Sequence, residues 1–598
     1  MKQKSRNEID NNYKWDLSKI YLNDSLWEED YNLLKKDIND ISKFKGIITR
    51  SAKDLLDYLK TYNSLDRRLE KLYMYAHLNH DADTTDTKYQ EMQGKVLKLL
   101  NDFSSLDSYS NPELMSVDYG VIENFINELD ELKEYKYLLE NLYRFKNHIL
   151  SDKEEEILSN LSLSLDNASD TYEALTDSDL KFGNIKDEFG NEVELTESNY
   201  TNFLHSSNRN VRKEAFTRLL ETYGNYKNAI SSTFSGNIKT LTSLAKIKNY
   251  NSSLEASLFS DNIDTTVYNN LIKTVKENMN IIYKYFDLKK EVLNLQELHL
   301  YDIYLEMVKD LDKEYSFDDA KELVIKALEP LGSEYVNDLK QAFSQKWIDI
   351  YNNVGKRGGA YSSGGYDTYP YILLNYEGKL KDVSTLAHEL GHSMHTYYSI
   401  KNNSYTNYRY KIFVAEVAST VNELLLNFYL LKNSSDEKEK LYILNSLMEL
   451  FKGTIYRQTM FSEFERDCHN RYENGEVLTN DLLCNEYYKL NKEYFGDNVV
   501  IDEQIKYEWE RIPHFYYNFY VYKYAVGLSC ACYIVDGILN GRENAREDYL
   551  KFLSLGGSDY PVNELKTAGI DITSSQVVES AIKMFDNIIE DFKQIYKK

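Results

Sequence analysis

The sequence predicts a mainly α-helical protein, large enough for two or more lobes, with a short β element set into its middle. Three observations carry this. The chain has 598 residues, well beyond the size at which a single hydrophobic core keeps growing. It holds only 5 Pro and 24 Gly, so little interrupts long helices. Apolar residues recur at helical spacing along much of its length, as in Leu55-Leu56-Tyr58-Leu59-Tyr62-Leu65 and Ile157-Leu158-Leu161-Leu163-Leu165.

The first 180 residues read as helices. A break follows between Phe182 and Leu195, where Gly190-Asn191 sits between short alternating runs and suggests a β-hairpin. The main boundary is set there, giving an N-terminal helical lobe at 1–190 and a second domain at 191–598. Helical patterning then resumes until Gly355–Tyr376, a glycine-rich stretch followed by Tyr369-Pro370-Tyr371-Ile372-Leu373-Leu374, which is β-prone. Pro370 restricts that run to a strand start or a sheet edge, and an edge can pair with an extended peptide. Gly358, Gly359, Ala360 and Tyr371 are therefore candidate substrate-binding residues. The glycines do not form a phosphate loop, because no Gly-Lys-Ser/Thr follows at the required spacing.

The chemistry lies just downstream, in Asp382-Val383-Ser384-Thr385-Leu386-Ala387-His388-Glu389-Leu390-Gly391-His392-Ser393-Met394-His395. Val383, Leu386, Ala387, Leu390 and Met394 form an apolar stripe, so this is a packed helix, and Asp382 or Ser384 can cap its start. Residues four apart stand about 5–6 Å apart on one helical face, so His388 and His392 can share one metal ion. Glu389 is turned about 100° from His388 and stays free to act on water beside the metal. With 10 His in the chain, and all 96 acids counted as Glu, chance supplies about 0.03 such motifs.

A catalytic zinc needs a third protein ligand and an open position. Phe413-Val414-Ala415-Glu416-Val417-Ala418-Ser419-Thr420-Val421-Asn422-Glu423-Leu424 has helical apolar spacing and offers Glu416, with Glu423 on the same side. Glu416 is the expected ligand. Glu423 is placed to accept the second N–H of a ligating histidine and fix its tautomer. His395 supports the helix or lines the cleft and is not a ligand. Further along, Arg511–Tyr524 carries His514, Tyr520 and Tyr524, donors suited to an oxyanion. Tyr520 and Tyr524, four apart, are expected to share one helical face.

The two segments His388–His395 and Glu416–Glu423 resemble the thimet-oligopeptidase family of zinc peptidases, and within it the bacterial branch called oligoendopeptidase F. Trp15-Asp16-Leu17, Arg209–Phe216, Phe259–Ile263 and Pro513–Tyr522 resemble that branch too, so the likeness spans nearly the whole chain. The resemblance implies two helical lobes enclosing a deep substrate channel, with a small sheet beside the zinc-binding helix. It implies one zinc ion per chain and a metalloendopeptidase that hydrolyses internal bonds of short oligopeptides through a zinc- and Glu389-activated water. It places a histidine and tyrosines opposite the metal, here His514, Tyr520 and Tyr524, although the spacing from histidine to first tyrosine is shifted by one residue. A peptidyl-dipeptidase or carboxypeptidase, or a peptide-binding scaffold with a vestigial site, are the alternatives.

The remaining features bound the setting. A net charge of −25 and a pI near 5.0 argue against nucleic acid and anionic membrane as partners. Met1–Leu17 shows no apolar signal-peptide core, and Tyr524–Val535 is too short to span a bilayer and reads as a buried helix. Four cysteines, Cys468, Cys484, Cys530 and Cys532, make no disulfide framework, which fits a cytoplasmic location. Oligomeric state and cleavage preference are not encoded in these patterns.

Overall fold

A computed structural model describes residues 4–309, 311 and 313–597, and its elements are overwhelmingly helical with three small sheets. Two compact units account for the fold, each assembled from three separate stretches of chain. The first comprises Met1–Lys146, Asp312–Tyr429 and Ile534–Ile570; the second comprises Asn147–Leu311, Leu430–Tyr533 and Asp571–Lys598. The expected hairpin is present, Asn184–Lys186 pairing antiparallel with Glu192–Glu194 around a turn in which Gly190 takes φ +86. It falls inside the second unit.

In the first unit, helix Ala52–Ala82 buries Leu55, Leu56, Tyr58, Leu59 and Leu65, the stripe read from the sequence. Trp27 seals this core, stacked on Tyr31 at 5.4 Å and donating its indole N–H to Leu72 O at 2.9 Å. The central sheet runs in the order Ile348–Asp349, Tyr371–Leu373, Tyr361–Ser363, parallel on one side and antiparallel on the other. Tyr371 and Leu373 close onto the N-terminal core. Of the two places Pro370 allowed this run, a strand start or a sheet edge, the structure has the strand start, and Tyr371–Leu373 is the middle strand. Pro370 ends just before it, so the missing N–H costs the ladder nothing. Tyr361–Ser363 is one of the two edge strands and Ile348–Asp349 the other.

In the second unit, the helix expected around 157–165 forms as Asp152–Leu165, but Ile157 and Leu161 stay exposed at 50% and 46%. Its apolar spacing therefore does not report burial. The apolar run after Tyr524 is a buried helix, Tyr522–Leu539, and among the described residues no helix is long and apolar enough to cross a membrane. All four cysteines are buried, and none is joined in a disulfide.

Candidate metal centre

Two helices of the first unit build the centre. Leu380–Asn402, the first site helix, carries His388, Glu389 and His392; Ile412–Asn433, the second, carries Glu416 and Glu423. The first begins where Asp382 in its opening turn accepts the backbone N–H groups of Lys379 (2.9 Å) and Glu377 (3.0 Å). Ser384 lies inside the helix and turns to Glu423 at 3.2 Å.

The helices meet at Gly391. A Cβ there would lie 2.5 Å from Ala418 O and 2.5 Å from the Ser419 Cα, so only glycine admits this approach. Asn422, wholly buried, fastens the crossing: its amide donates to Ala387 O at 3.2 Å, and its oxygen accepts the Tyr335 hydroxyl at 3.0 Å. Neither Asn422 nor the close approach was read from the sequence. The glycine inside the motif was the available signal for the latter.

This packing brings His388, His392 and Glu416 together, with one ligand atom of each lying within 4.8 Å of the others. Glu416 Oε2 sits 3.5 Å from His388 Nε2 and 3.6 Å from His392 Nε2. Tetrahedral zinc with bonds of 2.0–2.1 Å separates its ligand atoms by about 3.3 Å, so this donor set fits a metal ion. Ser419 steadies the carboxylate, its hydroxyl 3.0 Å from Glu416 Oε2. Glu423 Oε2 lies 3.3 Å from His388 Nδ1, the outer position expected of it. His395 is buried, stacked on Tyr410 at 3.7 Å and packed on Phe552, and burial drives its pKa down to about 3.

The charges follow from this crowding. Burial opposes a charged His388, but hydrogen bonds to Glu416 and Glu423 outweigh it and lift the imidazole well above its usual range. Glu416 is held down, to about 2, chiefly by His388. His392 falls to about 4 through burial and the neighbouring His388. Glu389 is 7% exposed, and burial raises its carboxyl to about 7; His388 and the Ser362 backbone draw it down, while Glu416 adds to the rise.

The edge strand lies against the same helix. Ser362 Oγ is 2.8 Å from Ser393 Oγ. Gly358 and Gly359 are exposed and Ala360 half-buried in the loop that enters this strand. That loop is tied down by buried Lys356, whose ammonium pairs with Asp349 at 2.8 Å, and by Asn375, which donates to Gly359 O at 2.8 Å. Tyr371, by contrast, is fully buried, its hydroxyl donating to Asp16 O at 2.7 Å and its ring against Trp15. It presents nothing to a substrate, so it leaves the set of candidate contacts, and Ser362 on the edge strand takes its place.

His514, Tyr520 and Tyr524 belong to the second unit, where they form a ring cluster. The imidazole centroid lies 6.5 Å from that of Tyr520 and 6.4 Å from that of Tyr524, and the two tyrosine rings meet edge-on at 5.4 Å. Burial lowers the His514 pKa. Tyr520 precedes helix Tyr522–Leu539 instead of sharing it with Tyr524, so the expected common helical face is a turn folded back onto the helix start.

A family model described as Peptidase family M3 matches residues 202–584, and one described as Oligopeptidase F matches residues 113–182. The chain belongs to peptidase family M3. It is 44% identical to oligopeptidase PepF of Bacillus subtilis over 99% of this chain and 88% of that protein. It is 38% identical to group B oligopeptidase PepB of Streptococcus agalactiae over 99% of each. A solved protein of Chlamydophila abortus matches with a TM-score of 0.95 at 38% identity, covering 99% of this chain and 100% of that one. The oligoendopeptidase-F of Enterococcus faecium matches with 0.74 at 33% identity, covering 96% and 99%. This M3 chain is accordingly a metalloendopeptidase with peptide substrates.

Proposed function

We propose that His388, His392 and Glu416 hold one zinc ion and that Glu389 is the general base for hydrolysis of internal bonds in short oligopeptides. One observation carries this reading. Three ligand atoms converge within 4.8 Å while Glu389, next in sequence to a ligand, stays outside the set and buried. Two imidazoles and a carboxylate are a donor set of catalytic zinc, though cobalt or manganese suit N/O ligands as well. When bound, zinc supplies Lewis acidity, which acidifies water and polarises a carbonyl oxygen.

The chain's own groups do the rest. Glu416 neutralises charge at the metal, and Glu423 holds the proton of His388 Nδ1 so that Nε2 keeps its lone pair for the ion. Glu389 takes a proton from the attacking water on its carboxylate and returns it to the leaving amine. The edge strand Tyr361–Ser363 offers backbone groups to an extended peptide, with the Gly358–Ala360 loop at its entry. His514, Tyr520 and Tyr524 are the proposed donors to the oxyanion, supported by the family resemblance and by their clustering.

Glu389→Gln tests the base. The variant is expected to keep one zinc per chain and to lose about 10²–10⁴-fold in turnover. Near-normal turnover would remove Glu389 from the scheme. Cleavage of peptides blocked at both ends is expected to match that of free peptides; a strict need for a free terminus would favour a dipeptide- or single-residue-releasing enzyme.

A further inference from the structure

Between the short helix Pro513–Tyr516 and helix Tyr522–Leu539, the chain makes an unusual turn. Asn518 (φ 51) and Phe519 (φ 57) are consecutive left-handed residues, neither of them glycine. Such a pair is rarely adopted by residues with a Cβ, and for a bulky aromatic least of all, so it persists only where its surroundings impose it. The turn decides where Tyr520 points, because Tyr520 is the next residue.

The surroundings are specific. Glu465, on helix Gln458–Glu473, is fully buried, and its Oε1 accepts the Phe519 N–H at 2.7 Å. Ser257 donates its hydroxyl to Asn518 O at 2.7 Å from the other side. The Phe519 ring, 1% exposed, is wedged between Tyr268 at 5.7 Å and His469 at 4.5 Å. His469, one turn beyond Glu465 on the same helical face, is held in turn by Ser253 Oγ at 2.7 Å, which donates to Glu473 at 2.7 Å. Every group that fixes the turn lies in the second unit.

The geometry points to Glu465 as a positioning residue for hydrolysis: it clamps the Asn518–Phe519 turn and thereby sets Tyr520 against His514 and Tyr524. Glu465 acts through the Phe519 backbone N–H, next to Tyr520. Burial raises its carboxyl to about 8, against the pull of the Phe519 N–H, so at neutral pH it serves as a neutral acceptor. A glutamine amide oxygen can do the same; a leucine of similar size cannot. The inference rests on the reading of His514 and Tyr520 as oxyanion donors.

The test compares Glu465→Leu, Glu465→Gln and His514→Ala in the zinc-loaded full chain, following kcat, KM and zinc content. His514→Ala should lower kcat. Glu465→Leu should lower kcat about 10- to 100-fold with KM and zinc content unchanged, as expected for a donor displaced by about 1 Å. Glu465→Gln should stay within a few-fold of the parent. Parental turnover in Glu465→Leu beside an impaired His514→Ala overturns the clamp, and so does equal impairment of the Leu and Gln variants. Full turnover in His514→Ala removes the donor cluster itself, and the clamp's purpose with it. Should the leucine variant fail to fold, Ser257→Ala reads the same turn from its other side. There, lowered kcat at constant zinc supports the clamp, and unchanged kcat overturns it.

Discussion

Replacing Gly391 with alanine sets two effects of opposite sign against each other. Alanine is the better helix former by about 1 kcal/mol, so on a free helix the change would stabilise. In this fold the new Cβ would meet Ala418 O and the Ser419 Cα at 2.5 Å each and Ala418 C at 2.8 Å, all backbone atoms of the second site helix. Carbon contacts are comfortable at about 3.5–4.0 Å, so the helices must part by about 1 Å. Overpacking of that kind costs about 1–3 kcal/mol, enough to cancel or exceed the propensity gain. The same movement carries Glu416 away from His388 and His392, whereas metal–ligand distances tolerate only about 0.2 Å. Gly391→Ala should therefore lower the melting temperature of metal-free protein. In a chelator competition it should weaken zinc binding by at least the 10- to 100-fold typical of a lost outer support. A variant that melts higher and binds zinc as tightly as the parent would refute the close crossing on which the centre is built.

Other consequences are equally direct. Glu423→Ala removes the partner of His388 Nδ1, 3.3 Å away, and should weaken zinc about 10- to 100-fold by the same competition; unchanged affinity would deny Glu423 that role. Stability should fall as pH rises from about 6.5 to 8, above the range in which buried His392, His395 and His469, held neutral by burial, pull the other way. Glu465, Glu510 and Glu564 are buried, and burial lifts each from the ordinary 4.5 to about 8. In that window the folded chain holds protons that the unfolded chain has released, so each unit of pH favours unfolding by up to about 1.4 kcal/mol per group. Thermal melts across pH 6.5–9 should show the decline, and a triple glutamine variant should flatten it; an equal slope in both would contradict the assignment.

What the sequence made legible was local. Residues four apart on a helix have fixed geometry, so His388 and His392 could be paired before any fold was known. Low Pro and Gly announced long helices, and Gly190 announced its turn. Glu416 came from helical phase combined with chemistry. The rest depends on contacts between distant segments. A three-residue strand carries no signal for its neighbours, so a strand start and a sheet edge could not be told apart at Tyr371, which lies in the middle of the sheet. Apolar spacing placed a helix at Asp152–Leu165 without showing that Ile157 and Leu161 face solvent. The left-handed pair at Asn518–Phe519 has no local signature at all, since neither residue is glycine; Glu465 and Ser257 impose it from elsewhere in the chain. The two units interleave six stretches of sequence, which no composition shift marks.

The central claim is that one metal ion, gripped by His388, His392 and Glu416, enables peptide hydrolysis. The decisive measurement strips the protein with chelator and titrates zinc back, recording bound metal and cleavage of an end-blocked peptide in the same samples. Activity should rise in step with zinc and level off at one equivalent, and a His388→Ala, His392→Ala double variant should do neither. Cleavage by the stripped protein, or stoichiometric zinc without cleavage, would contradict the account.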